Sequence, residues 1–199
     1  MSDEEPVNRS VIDRKNLPPL FPTHRHEAEF WEYLGRSIAS FGFLEEVLGK
    51  AIFAFTATRR YREEEIDAAY AVWHSKLERV LTDQLVNLAE TYGKAVRDHP
   101  DTTTENIVEL VEDIKSAAVI RNVLCHGSWR TPNANGAAVP LFVNRRKEIF
   151  ETAINVTYLR QVQADVAALT CSVVDTVTHM GWQFPGSAGP GKQIWTKDK

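Results

Sequence analysis

The chain has 199 residues, enough for one ordinary domain with its own core. Hydrophobic residues make up 43% and charged residues 25%, a balance that excludes a disordered chain or an integral membrane protein. The net charge of −4 argues against a protein that coats nucleic acid by bulk charge, while leaving room for a local basic cleft. No apolar run reaches the roughly 18 residues of a membrane span, and MSDEEPVNRS at the N-terminus has no apolar core of a secretory signal. Only two cysteines occur, Cys125 and Cys171, which suits a reducing, cytoplasmic setting better than a disulfide framework.

Residues 1–23 are polar and carry Pro6, Pro18, Pro19 and Pro22, so an extended N-terminal arm is expected. A first helix follows from about His26 to Thr58. Its apolar positions Phe30, Tyr33, Leu34, Phe41, Leu44, Leu48, Ile52 and Phe55 recur at three- and four-residue steps. Glu45 interrupts that stripe. A carboxylate there needs a partner, and Arg121 is the best candidate on pattern grounds.

After the basic link Arg59-Arg60-Tyr61-Arg62, an acidic first turn, Glu63-Glu64-Glu65, opens a second helix. Ile66, Tyr70, Trp73, Leu77, Leu81, Leu85, Leu88 and Tyr92 supply its stripe, and Asp98-His99-Pro100-Asp101 breaks it. Thr102 and Glu105 have capping-box spacing for a third helix, which carries Ile107, Leu110, Val111 and Ile114. That helix runs into IRNVLCHGSW, with Gly127 placed for a left-handed helix end. From about 129 to 157 the helical period stops. Turn residues at Asn133–Gly136 and extended-favouring runs around Val139–Val143 and Lys147–Val156 point to a small β-hairpin or irregular flap. Leu159, Val162, Val166, Leu169, Val173 and Val177 then restore helical spacing. The expected class is therefore all-α: four long helices in a bundle over 24–182, with the flap between helices 3 and 4 and a flexible tail over 183–199.

The polar residues of IRNVLCHGSW are the chemistry in this chain. Arg121 continues the Ile107 and Ile114 register and so should not point freely into solvent, while Val119, Ile120, Val123 and Leu124 ask for cover on another face, from the bundle or from a second protomer. Asn122 and His126 are four apart and share a face, so the amide can orient the imidazole. Arg121 and His126 lie about 140° apart on a regular helix. A long arginine can still swing toward the helix end, or each can reach across a dimer axis.

Arg121-Asn122-x-x-x-His126 resembles the Arg-x4-6-His signature of HEPN domains, and with Gly127 and Trp129 it looks like the Arg-Asn-x-x-x-His-Gly-x-Trp version of small bacterial and phage proteins. The motif covers about ten residues, and the bundle agreement runs loosely over 26–182. The resemblance implies a cytoplasmic, metal-independent endoribonuclease without cofactor, acting on RNA as a homodimer whose two motifs share one cleft. His126 would be general base or acid, Arg121 would bind the phosphate, and Asn122 would hold the histidine or the phosphate. It also implies a possible toxin or phage-defence role with an antitoxin or neighbouring defence protein as partner. Toxins paired with a nucleotidyltransferase carry a tyrosine two residues after the histidine; Ser128 stands there in this chain. The competing interpretation is a non-catalytic dimerisation or interaction module whose Arg-Asn-His cluster is structural.

Around the motif, Glu45 can position Arg121 or merely fix helix packing, and Trp129 can stack on a base or pack over the helix end. Arg145, Arg146 and Lys147 can guide RNA or form an ordinary solvated turn. His24 and His26 have no cysteine or further histidine at metal spacing, so we expect no metal site. His74, His99 and His179 stand alone.

Overall fold

A computed structural model describes residues 10–57, 62–65, 67–68 and 84–187. The described residues form an all-α helical bundle of four helices: α1 Ala28–Ala57, α2 Leu85–Arg97, α3 Ile107–His126 and α4 Val156–Thr178. No helix is long and apolar enough to cross a membrane among the described residues.

The directions of the helices follow from a few contacts. Glu29 and Arg160 pair at 2.8 Å near the starts of α1 and α4, where the Ser37 hydroxyl also donates to the Leu159 carbonyl at 3.1 Å. At the other end, Phe55 of α1 meets Trp182 just beyond α4, with ring centroids 5.8 Å apart, so these two helices run parallel. His99, which follows α2, also reaches Phe55. Thus α2 runs the same way, and α3, tied back to it by Lys115–Glu90 at 3.3 Å, runs the opposite way. Residues 127–155 therefore hang at the end where α1 and α4 begin.

Helix α1 buries Phe30, Leu34, Phe41, Leu44, Leu48, Ile52 and Phe55, the expected stripe, with Tyr33 at its margin under the Arg160 guanidinium. Leu159, Val162, Val166, Val173 and Val177 face it from α4. Between α2 and α3 the approach is close: a Cβ on Gly93 would lie 2.5 Å from Val111 Cγ2, so only glycine fits there. Tyr92 is fully buried and donates its hydroxyl to Thr176 Oγ1 at 2.9 Å; burial pushes the phenol far above its ordinary titration range.

Four local expectations change. Glu63–Glu65 form a 3-10 turn, and Gln84 is extended with φ −71° and ψ 148°, so α2 starts afresh at Leu85 instead of continuing one long helix from Glu63. Ile66, Tyr70, Trp73, Leu77 and Leu81 lie outside the described residues. Thr102 does not cap α3: its hydroxyl accepts from the Thr104 amide in a local turn, and Asn106 precedes the first helical residue. Gly127 is not left-handed, having φ −67° and ψ 137°. It is needed for space, since a Cβ would sit 2.6 Å from the Val123 carbonyl oxygen and 2.9 Å from Pro140 Cβ. Finally, of the β-hairpin or irregular flap expected over about 129–157, the hairpin does not form: no strand occurs among the described residues. The flap is held by isolated antiparallel bridges, Ser128 with Leu141, Ala138 with Ile154 and Val143 with Ile149. Its central run, 138–143, changes partner at nearly every pairing, and Pro140 offers no amide donor, so no ladder extends.

Candidate functional site

The last two turns of α3 carry the Arg-Asn-His cluster to the flap end of the bundle. Arg121 is half-buried, on the stripe below Ile107 and Ile114, as its register requires. Glu45 arrives from α1, one turn from Phe41 and Leu48, and its Oε1 lies 3.5 Å from Arg121 Nη2. The two side chains are 32% and 27% exposed, so this pair is neither a surface ion pair nor a sealed one. Glu45 Oε1 itself is buried and accepts no hydrogen bond. Among the described residues, the nearby positive charge alone answers its desolvation. On its other side, Arg121 Nη1 donates to Asn122 Oδ1 at a long 3.4 Å.

Two weak contacts thus hold the guanidinium, and a guanidinium offers five donors. Asn122 spends its carbonyl oxygen on Arg121 instead of orienting His126. The imidazole at the end of α3 is exposed and makes no hydrogen bond or ion pair with a described residue. Within one chain the structure brings together Glu45, Arg121 and Asn122, and leaves His126 apart from them.

Trp129 turns away from the motif. Its ring packs edge-on to Phe30, centroids 4.9 Å apart, and stands 6.2 Å from the His26 ring. His26 in turn places Nε2 2.8 Å from the Arg130 carbonyl, where it donates, and Arg25 donates to Thr131 Oγ1. These side chains staple the flap to the start of α1. His26 is a structural pin, and no spacing signal marks a single histidine that meets a carbonyl about a hundred residues away. His24 stacks on Phe21. Among the described residues no group of three or more His, Cys, Asp or Glu could hold a metal ion.

Arg145, Arg146 and Lys147 are all exposed, at the tip of a turn braced by Asn144. Asn144 Oδ1 accepts from the amides of Arg146 and Glu148 at 2.9 and 3.0 Å, and Lys147 takes φ 64° to close the turn. Because Ser128 and Leu141 pair antiparallel, the residues after Leu141 run back past Gly127 toward the end of α3. The basic tip therefore lies on the His126 side of the flap.

Two clefts lie elsewhere. One, of about 420 Å³, opens between the flap turn at Asn133–Gly136 and the starts of α1 and α4; Arg25, His26 and Asn155 line it, but each is engaged in the contacts above or in capping α4 at Tyr158. The other, of about 440 Å³, lies between the start of α3 and the end of α4, where Thr176 is committed to Tyr92 and to the Val173 carbonyl. Neither cleft includes Arg121 or His126 in its lining. No family model matches this chain, and no curated protein and no solved structure matches it either.

Proposed function

We propose that this protein is a HEPN-like, metal-independent endoribonuclease that works as a homodimer, with a role as a toxin or phage-defence effector. The observation that carries this reading is that the Arg-Asn-His cluster is left open. A purely structural cluster would satisfy its own groups; here Arg121 is tethered by two long contacts, His126 has no hydrogen-bond or ion-pair partner among the described residues, and the tryptophan that could cover it packs elsewhere. Val119, Asn122 and His126 recur at three- and four-residue steps on α3, and Val119 is uncovered, which suits a second copy meeting this stripe.

In that dimer, His126 of one protomer takes the proton of an RNA 2′-hydroxyl as its oxygen attacks the adjacent phosphorus. The bond to the 5′-oxygen breaks, and the second protomer's imidazolium returns a proton to the leaving oxygen. Arg121 offsets charge on the non-bridging oxygens, and Glu45 keeps the guanidinium near its working position. The products carry a 2′,3′-cyclic phosphate and a 5′-hydroxyl, so DNA is not cut. The alternative, an interaction module with a structural cluster, draws on the Glu45–Arg121 pair, which ties α1 to α3 without any chemistry.

The test is cleavage of a mixed RNA pool in EDTA, with end-group determination. Wild type is expected to cut and to leave cyclic-phosphate ends, while His126→Ala and Arg121→Ala each lose about 100-fold or more. A folded wild type that cuts nothing, or variants that cut as well as wild type, would overturn the ribonuclease reading.

A further inference from the structure

The flap has an outer face that no described residue covers. Along 138–143 the side chains alternate: Ala138 and Pro140 are buried and Phe142 half-buried, while Val139, Leu141 and Val143 point outward, 39 to 51% exposed. Ile149, bridged to Val143, adds a fourth apolar side chain at 63%. A half-buried extended segment ordinarily turns polar residues to water. This one presents an apolar strip that ends at the basic turn Arg145-Arg146-Lys147.

A complementary surface exists on the same chain. Val11 and Ile12 of the N-terminal arm are 95% and 74% exposed, and the residues before them include Asp3-Glu4-Glu5. Both halves, apolar and charged, match the flap in kind and opposite sign. Yet the described arm leaves Val11 and Ile12 uncovered and leaves the flap strip uncovered too.

We propose that the arm of one copy docks on the flap of a second copy, with Val11 and Ile12 on the Val139–Leu141–Val143 strip and Asp3-Glu4-Glu5 against Arg145-Arg146-Lys147. Reciprocal exchange satisfies both surfaces in a closed two-fold pair. Leu141 bridges Ser128, two residues from His126, so the same pair of copies serves the motif.

The inference rests on the homodimer of the ribonuclease reading and is measured without RNA: a dimer indifferent to the reversals fails this inference alone, and a dimer that cuts no RNA fails the ribonuclease reading alone. Sedimentation of the full chain from low to high micromolar concentration is expected to show a dimer. Reversing the arm (Asp3→Lys, Glu4→Lys, Glu5→Lys) or the turn (Arg145→Glu, Arg146→Glu, Lys147→Glu) should each weaken it about 10-fold, and combining both sets should restore it to within about 3-fold of wild type. Leu141→Asp should weaken it with no rescue from either set. Leu141, Arg145, Arg146 and Lys147 are exposed, and thermal melting by circular dichroism checks that each variant folds. A monomeric wild type, a dimer indifferent to both reversals, or a combined variant weaker than either alone would overturn the proposal.

Discussion

Glu45 sets the tone of the site because its position conflicts with its neighbours. It stands among Phe41, Leu44 and Leu48, and its buried Oε1 has only the Arg121 charge at 3.5 Å. Removing one partner of such a pair costs more than removing the pair, since the orphan keeps its desolvation. Arg121→Ala is therefore expected to destabilise the fold by about 1–2 kcal/mol, a figure reduced because both side chains are about a third exposed. Adding Glu45→Leu should recover most of that loss in urea unfolding; if it does not, the pair is not what links these two residues. Gly127 offers a second residue-level test: Gly127→Ala puts a methyl against the Val123 carbonyl and Pro140, and should cost about 1–3 kcal/mol. Tyr92 governs the alkaline limb. Its phenol titrates higher in the folded chain than the ordinary 10.0, so the unfolded chain gives up its proton first. Stability is complete below that value and falls as pH rises above it. Tyr92→Phe should lose about 1 kcal/mol with the Thr176 hydrogen bond near pH 7, and then show a shallower decline between pH 9 and 11 than wild type. Equal slopes would mean that burial of Tyr92 does not set the alkaline limit.

Among the elements, the flap is the one whose internal bonding least explains its order. Three one-residue bridges cannot hold a segment of this length, and the staples come from outside it: Trp129 on Phe30, His26 on the Arg130 carbonyl, Arg25 on Thr131. Trp129→Ala is expected to cost about 3 kcal/mol and to raise amide exchange across 128–154 before it does so in α1 or α4. Uniform loss across the helices instead would show that the flap and bundle unfold as one unit. At the flap tip, the three cations of 145–147 can be counted electrostatically. With the inactive His126→Ala chain, replacing all three by alanine should lower the slope of log affinity against log salt for single-stranded RNA by about 2. An unchanged slope would assign the turn to protein contact alone.

At the scale of the molecule, α1, α2 and α4 point one way and α3 the other, so the end of α3, the start of α1, the start of α4 and the flap gather at one end. The opposite end packs Phe55, His99 and Trp182 together and carries the polar cleft between the start of α3 and the end of α4. The end of α3 brings the exposed His126 to the place where the chain changes from helix to extended structure. The other gathered feature is charge: the basic turn lies at this end, in a chain whose overall charge is negative.

Much of this was legible in the amino-acid order. Apolar residues at three- and four-residue steps specify a buried face wherever a helix forms, because the period of the helix and the period of the pattern coincide; the stripes of α1, α3 and α4 follow from that alone. The same register put Arg121 at the margin of the core and singled out Glu45 as its partner, since a carboxylate inside an apolar stripe must find a charge. Tertiary structure alone decided the rest. Whether Asn122 turns to His126 or to Arg121, whether Trp129 covers the histidine or Phe30, and why residue 127 must be glycine all depend on which distant atom is nearest, and no spacing along the chain encodes that distance. Local periodicity is a property of one element; the openness of a site is a property of how several elements meet.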